Sequence, residues 1–170
     1  HLEVTNTLVQ GSVKLTKTFD GELPREDQTA TFTLYQGDPE GTHDQKGSHT
    51  TDTYGVIQVD DLEAGNYYFV ETATATGYKI DETPVRFTLE GTLHEQIQLN
   101  VNNERSTKDI HVEKQWINGT DYPGIQAQLY RKTEGGNKEV VGEPISLTQT
   151  GEWKGNWNSM PTHTVAGEAY

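Results

Sequence analysis

Apolar and polar residues alternate along most of the chain, with the two-residue period of strands that bury one face. Val13, Leu15 and then Lys17 fall on one face of a first strand, and Phe32 and Leu34 mark a second in the run ATFTLY. Past a turn at Tyr54–Gly55 come Val56, Ile57 and Val59. A tight turn at Ala64–Gly65 then leads into the strongly β-prone NYYFVET of residues 66–72. Val85, Phe87 and Leu89 alternate in PVRFTLE, and Ile97, Leu99 and Val101 alternate in the closing strand of this unit. No window sustains a helical period, so the pattern predicts an all-β chain.

The scheme restarts near Arg105–Lys108. Ile110, Val112 and Trp116, with Lys114 between them, predict a new first strand, and Ile125, Ala127 and Leu129 predict a second. Trp153 and Trp157 follow in WKGNW, ahead of a proline turn at Met160–Pro161. At the other end, Leu2 and Val4 precede Asn6 on one face, as Leu99 and Val101 precede Asn103. The chain therefore reads as three pieces. Residues 1–10 are the last strand of a preceding domain or a linker, 11–105 are one complete domain, and 106–170 are the N-terminal part of a second.

Composition narrows the functional classes. Hydrophobic residues make up 31% of the chain, which suits thin sandwiches with much surface per core residue and argues against one deep enzyme core. A net charge of −13 repels nucleic acid and anionic lipid, so neither is an expected partner. No apolar run is long enough to span a membrane. The opening HLEVTNTLVQ is strand-like, so the chain reads as a segment of something longer. Cysteine is absent, and an extracellular protein without disulfides must find its robustness elsewhere. His43 and His49 read as a polar loop with Asp38, Glu40 and Asp44, without recognisable ligand spacing, so no metal or cofactor is expected. No nucleophile-elbow, phosphate-loop or zinc-protease motif occurs, so no enzyme acting on external substrates is expected. The three tryptophans are expected in the core of the second sandwich.

Three residues of the first unit are polar where the alternation demands core. Parity places Lys17 inward with Val13 and Leu15 and sends Lys14 to the wet face. It selects Asn103 over Asn102 on the last strand, and puts Glu71 on the face of Tyr67 and Phe69. A buried charge is costly alone, so a core lysine and a core glutamate make sense only together. Burial favours the neutral amine, which is a nucleophile. A neutral carboxyl beside it can polarise the Asn103 carboxamide and shuttle protons. Attack of the Lys17 amine on the Asn103 side-chain carbonyl then expels ammonia and leaves an amide. Parity is met equally by an ordinary Lys17–Glu71 ion pair with Asn103 as a turn residue, which is the commoner arrangement.

The runs GSVKLTKTFDGELPREDQTATFTLY, TTDTYGVIQVDDLEAGNYYFVETATATGYKIDETPVRFTL and LNVNNE carry several marks in order. These are a K-x-x-D-like start, TTD-x-x-G, L-x-x-G-x-Y, a VET strand and a GYK turn. Together they resemble the Cna B-type (SpaA-like) domains of Gram-positive pilins and surface adhesins, over about residues 11–104. The later IHVEKQWINGTDYPGIQAQLYR, with its K-x-W strand, is similar to a sister Cna B subtype, and VTNT at residues 4–7 to the closing strand of such a domain. The resemblance implies an immunoglobulin-like, prealbumin-like β-sandwich. It also implies an intramolecular isopeptide bond between Lys17 and Asn103, with Glu71 as the catalytic residue. Lys114 and Asn6 would be cross-link residues of the incomplete neighbouring domains.

The expected role is a structural stalk or spacer in a cell-wall-anchored pilin or adhesin on the bacterial surface. Its partners would be other domains or subunits of the same fibre. The alternative is an adhesin module gripping a host extracellular-matrix protein through loops or a sheet edge. In either case the only chemistry expected is single-turnover self-cross-linking.

Overall fold

The computed structural model describes residues 9–119 and 121–170. The residue 1–10 strand and Asn6 therefore lie largely outside the described residues. The chain divides into two compact units, one up to Glu104 and one from Arg105 to Tyr170.

The first unit contains seven strands: β1 (Gly11–Phe19), β2 (Thr31–Gly37), β3 (His43–Thr50), β4 (Val56–Leu62), β5 (Gly65–Ala73), β6 (Val85–Leu89) and β7 (Gln96–Asn103). They form a three-stranded sheet in the order β4-β1-β7 and a four-stranded sheet in the order β3-β2-β5-β6. Every pairing in the two sheets is antiparallel except β1 with β7, which run side by side in the same direction. Strict alternation on β1 turns Gly11, Val13, Leu15, Lys17 and Phe19 inward. They meet Phe32 and Leu34 of β2, Tyr67 and Phe69 of β5, and Phe87 and Leu89 of β6 in one core shared by both sheets. Burial of these large apolar side chains, each worth about 1.5–3 kcal/mol, drives the sheets together. The fold is an all-β sandwich.

The TTD-x-x-G run builds the corner that leads into β4. Thr51 Oγ1 accepts the Ala30 amide at 3.0 Å. Asp52 Oδ1 accepts the amides of Tyr54 at 2.9 Å and Val56 at 2.8 Å. Such a side chain, bonding to main chain a few residues on, substitutes for ladder partners and closes the turn.

In the second unit β8 (Thr107–Glu113) pairs with β11 (Lys154–Pro161), and β9 (Ile125–Arg131) with β10 (Glu139–Leu147). A single 3₁₀ turn at Gln149–Gly151 precedes β11. Leu147 and Trp157 are buried here, and the Trp157 indole N–H donates to the Glu143 carbonyl at 3.0 Å. Trp116 and Trp153 are only half-buried. They cluster with Tyr122, the rings of Trp116 and Tyr122 stacking at 5.0 Å.

Three local expectations are corrected. The segment with His43 and His49 is strand β3, at the edge of its sheet, rather than a loop. Its one-sided pairing leaves most of HDQKGSHT in water, so it carries no apolar alternation. The first strand of the second unit stops at Glu113, before Lys114 and Trp116. The proline turn is absent too, because β11 continues to Pro161 and pairs it with Thr107. Pro161 is tolerated as the terminal residue of the strand, where one missing N–H interrupts nothing beyond it.

Candidate functional site

The structure brings Lys17, Glu71 and Asn103 together at one end of the first unit's core. Lys17 is 1% exposed, Glu71 1% and Asn103 2%. Each comes from a different strand. Lys17 and Asn103 are held by the parallel β1–β7 ladder, in which Lys17 lies opposite Val101 and Phe19 opposite Asn103. The same face of β7 presents Ile97, Leu99 and Val101 before Asn103, so the polar side chain completes an otherwise apolar row. Glu71 arrives from the facing sheet, on β5, opposite Phe32 of β2.

Lys17 Nζ sits 3.3 Å from Glu71 Oε1. The Asn103 side-chain amide donates to the same carboxylate, with Nδ2 at 2.9 Å from Oε1 and 2.8 Å from Oε2. Nδ2 also lies 2.7 Å from the Thr74 hydroxyl. From the other side, the Asp81 amide N–H donates to Glu71 Oε2 at 2.8 Å. Phe19 and Phe32 wall the lysine, their ring centres 5.3 and 6.0 Å from Nζ.

This packing sets the electrostatics. Burial pushes the Lys17 ammonium below its ordinary range, against the opposing pull of Glu71 and, more weakly, of Asp81. Asp81 at the rim is held below the usual carboxylate range, chiefly by hydrogen bonds from Thr83. A cavity of about 220 Å³ reaches the group, lined by Lys17, Phe32, Glu71, Asp81, Thr83, Val85 and residues 100–103. A buried amine and a buried carboxamide thus both meet the Glu71 carboxyl, beside a cavity that all three line.

Thr74 and Asp81 were not legible as site residues. Thr74 lies just past β5 in the Thr/Ala run ETATAT, which carries no alternation. Asp81 contacts Glu71 through its backbone, which no side-chain pattern reports.

Lys114 occupies a similar position in the second unit. The Lys17 amide donates to the Gly55 carbonyl at 2.8 Å, just beyond the β1–β4 ladder, and the Lys114 amide donates to the Trp153 carbonyl at 2.9 Å, just beyond β8–β11. Its Nζ lies 4.5 Å from the Trp116 ring centre, as Lys17 lies over Phe19, and donates to the Gln115 carbonyl at 2.9 Å. Asn6 lies outside the described residues. Among the described residues no group of three or more His, Cys, Asp or Glu is placed to hold a metal ion.

Residues 11–105 match the model of the family described as SpaA, prealbumin-like fold domain. No curated protein sequence matches the chain. Among solved structures, the TIE protein of Bacillus anthracis aligns with TM-score 0.62 and 22% identity over 89% of this chain and 27% of its own. The Corynebacterium diphtheriae major pilin SpaA, whose structure is described as pointing to modular pilus assembly stabilised by isopeptide bonds, aligns with TM-score 0.51 and 22% identity over 56% and 31%. BcpA, the major pilin subunit of Bacillus cereus, gives 31% identity and TM-score 0.49 over 60% and 31%. The chain thus spans less than a third of each of these proteins.

Proposed function

Since the chain belongs to the SpaA family of prealbumin-like fold domains, we propose that it is a structural spacer segment of a Gram-positive surface fibre, a cell-wall-anchored pilin or adhesin. Its first unit closes itself with a Lys17–Asn103 isopeptide bond, and its partners are other domains or subunits of the same fibre. The observation that carries this reading is the buried convergence of Lys17, Glu71 and Asn103.

The chemistry is a single turnover within the chain. Transfer of a proton from the Lys17 ammonium to Glu71 leaves a neutral amine and a neutral acid, which avoids two opposite charges in a site shielded from water. Nζ attacks Cγ of Asn103, and Glu71 takes a proton from the attacking nitrogen and returns one to Nδ2. The Cγ–Nδ2 bond breaks and ammonia leaves, so one amide replaces another and the atoms balance. The linkage joins the first strand to the last. On chain-entropy grounds a closed loop of this length contributes about 4–5 kcal/mol. It also suppresses the open states that proteases need. In a chain without cysteine, it does the work of a disulfide without depending on redox conditions.

Intact mass under denaturing conditions tests the reading. Wild-type chain should be lighter than its sequence by one ammonia, and Lys17→Ala and Glu71→Ala should each have full mass. A wild type at full mass would leave Lys17 and Glu71 as an ion pair in a plain β-spacer.

A further inference from the structure

The Asn103 carboxamide nitrogen has three oxygen neighbours, although an NH₂ group has only two hydrogens. Glu71 supplies two of them, at 2.9 and 2.8 Å, and Thr74 Oγ1 the third and nearest, at 2.7 Å. One N–H is therefore shared across the carboxylate and the other is aimed at the threonine hydroxyl. Thr74 is half-buried, immediately beyond the strand that carries Glu71, so its hydroxyl is fixed by the same element that positions the carboxyl.

On the cross-link reading, Nδ2 is the atom that leaves. We propose that Thr74 takes a direct part in forming the bond, its hydroxyl holding the departing nitrogen of Asn103. Two N–H bonds to different residues fix the plane of the carboxamide, and so fix which face of Cγ meets Lys17. When Nζ adds to Cγ, Nδ2 becomes pyramidal and its lone pair must accept a proton. With one N–H retained by Thr74, the other N–H turns off Glu71 as the nitrogen becomes pyramidal, and the lone pair takes its place facing the group that carries the proton. Thr74 accepts a hydrogen bond throughout and neither gains nor loses a proton. The amide nitrogen still leaves as ammonia, with one hydrogen received through Glu71.

The rate of bond formation tests this. Chain made by cell-free synthesis is quenched in denaturant at intervals, and intact mass reads the fraction lighter by one ammonia. Thr74→Val keeps the shape and removes the hydroxyl, and a carboxamide no longer held in one plane should react about tenfold more slowly, a barrier higher by about 1.4 kcal/mol. Thr74→Ser should react at close to the wild-type rate. The pH profile should keep its shape in Thr74→Val, because Thr74 does not titrate, and fully reacted Thr74→Val should resist protease as wild type does. A Thr74→Val rate within about twofold of wild type would overturn the role of the hydroxyl while leaving the cross-link intact. So would a Thr74→Ser variant as slow as Thr74→Val. A wild type that never loses ammonia would instead remove the cross-link, and Thr74's part with it.

Discussion

The carbonyl of Gly55 accepts the backbone N–H of Lys17 at 2.8 Å, and it does so from a residue with φ of +77°. The glycine is what lets the corner after β3 press against β1. A Cβ added there would stand 2.5 Å from the Lys17 carbonyl oxygen and 2.9 Å from Pro24 Cδ. Neither neighbour has room, since one is backbone and the other a ring. Gly55→Ala should therefore cost about 2–3 kcal/mol, combining left-handed strain with the clash. That should lower the thermal midpoint by roughly 10 °C or more. An unchanged midpoint would show that the corner relaxes freely.

Removing Glu71 should cost more than removing the pair. In Glu71→Ala the lysine remains buried among aromatic rings without a counter-ion, which typically costs about 3–5 kcal/mol. Lys17→Met/Glu71→Leu removes both charges and leaves an apolar core of similar volume. Denaturant unfolding should rank the double variant above Glu71→Ala, although neither can form the bond. The reverse order would mean that water or another group already satisfies Lys17.

Burial of Lys17 also predicts a pH signature once the bond is prevented. In Asn103→Ala the amine stays free, and its folded pKa lies below the unfolded value of 10.5. Between those two values the unfolded chain holds more protons than the folded one, so stability rises with pH across that window. Below the window the burial cost is fully present. Unfolding midpoints of Asn103→Ala should increase as pH climbs toward 10.5, and Lys17→Met in the same background should flatten the trend.

Glu95 gives the opposite dependence. Its carboxylate accepts the backbone amides of Glu90 at 3.0 Å, Gly91 at 3.0 Å and Thr92 at 3.2 Å, tying down the turn before β7. These bonds, the one from Glu90 foremost, hold the group below its ordinary value of 4.5. The stabilisation is complete above 4.5 and disappears as pH falls through the lower folded value. The difference in thermal midpoint between wild type and Glu95→Gln should narrow in acid, and a constant difference would assign the effect to shape.

The alternation rule located the buried Lys17–Glu71–Asn103 cluster because burial punishes polar residues selectively. Lys17, Glu71 and Asn103 stand out only because Val13, Leu15, Phe69, Leu99 and Val101 make their faces unmistakable. The same rule says nothing where both faces are wet, so β3 was invisible as a strand and its histidines read as loop. It overran at Lys114 and Trp116, where the apolar period persists after strand pairing has ended at Glu113. It also could not see Thr74, which meets Asn103 from just past the end of β5, in a run where the alternation has stopped.

The parallel pairing of β1 with β7 has a mechanical consequence. Two adjacent strands running the same way make the chain enter at one end of the sandwich and leave at the other. A strand of eight residues spans about 26 Å, so in the proposed fibre the unit would act as an in-line link that adds length. Lys17 and Asn103 lie toward the exit ends of their strands. With Lys17 and Asn103 joined as proposed, tension applied at Gly11 and beyond Asn103 would run along β1, cross the side-chain bridge and depart. Strands β2 to β6 would hang as a closed loop outside the line of load. Such a link can lengthen only by straightening the few residues before Lys17, so a fibre built from it would behave under flow as a cable of fixed contour length.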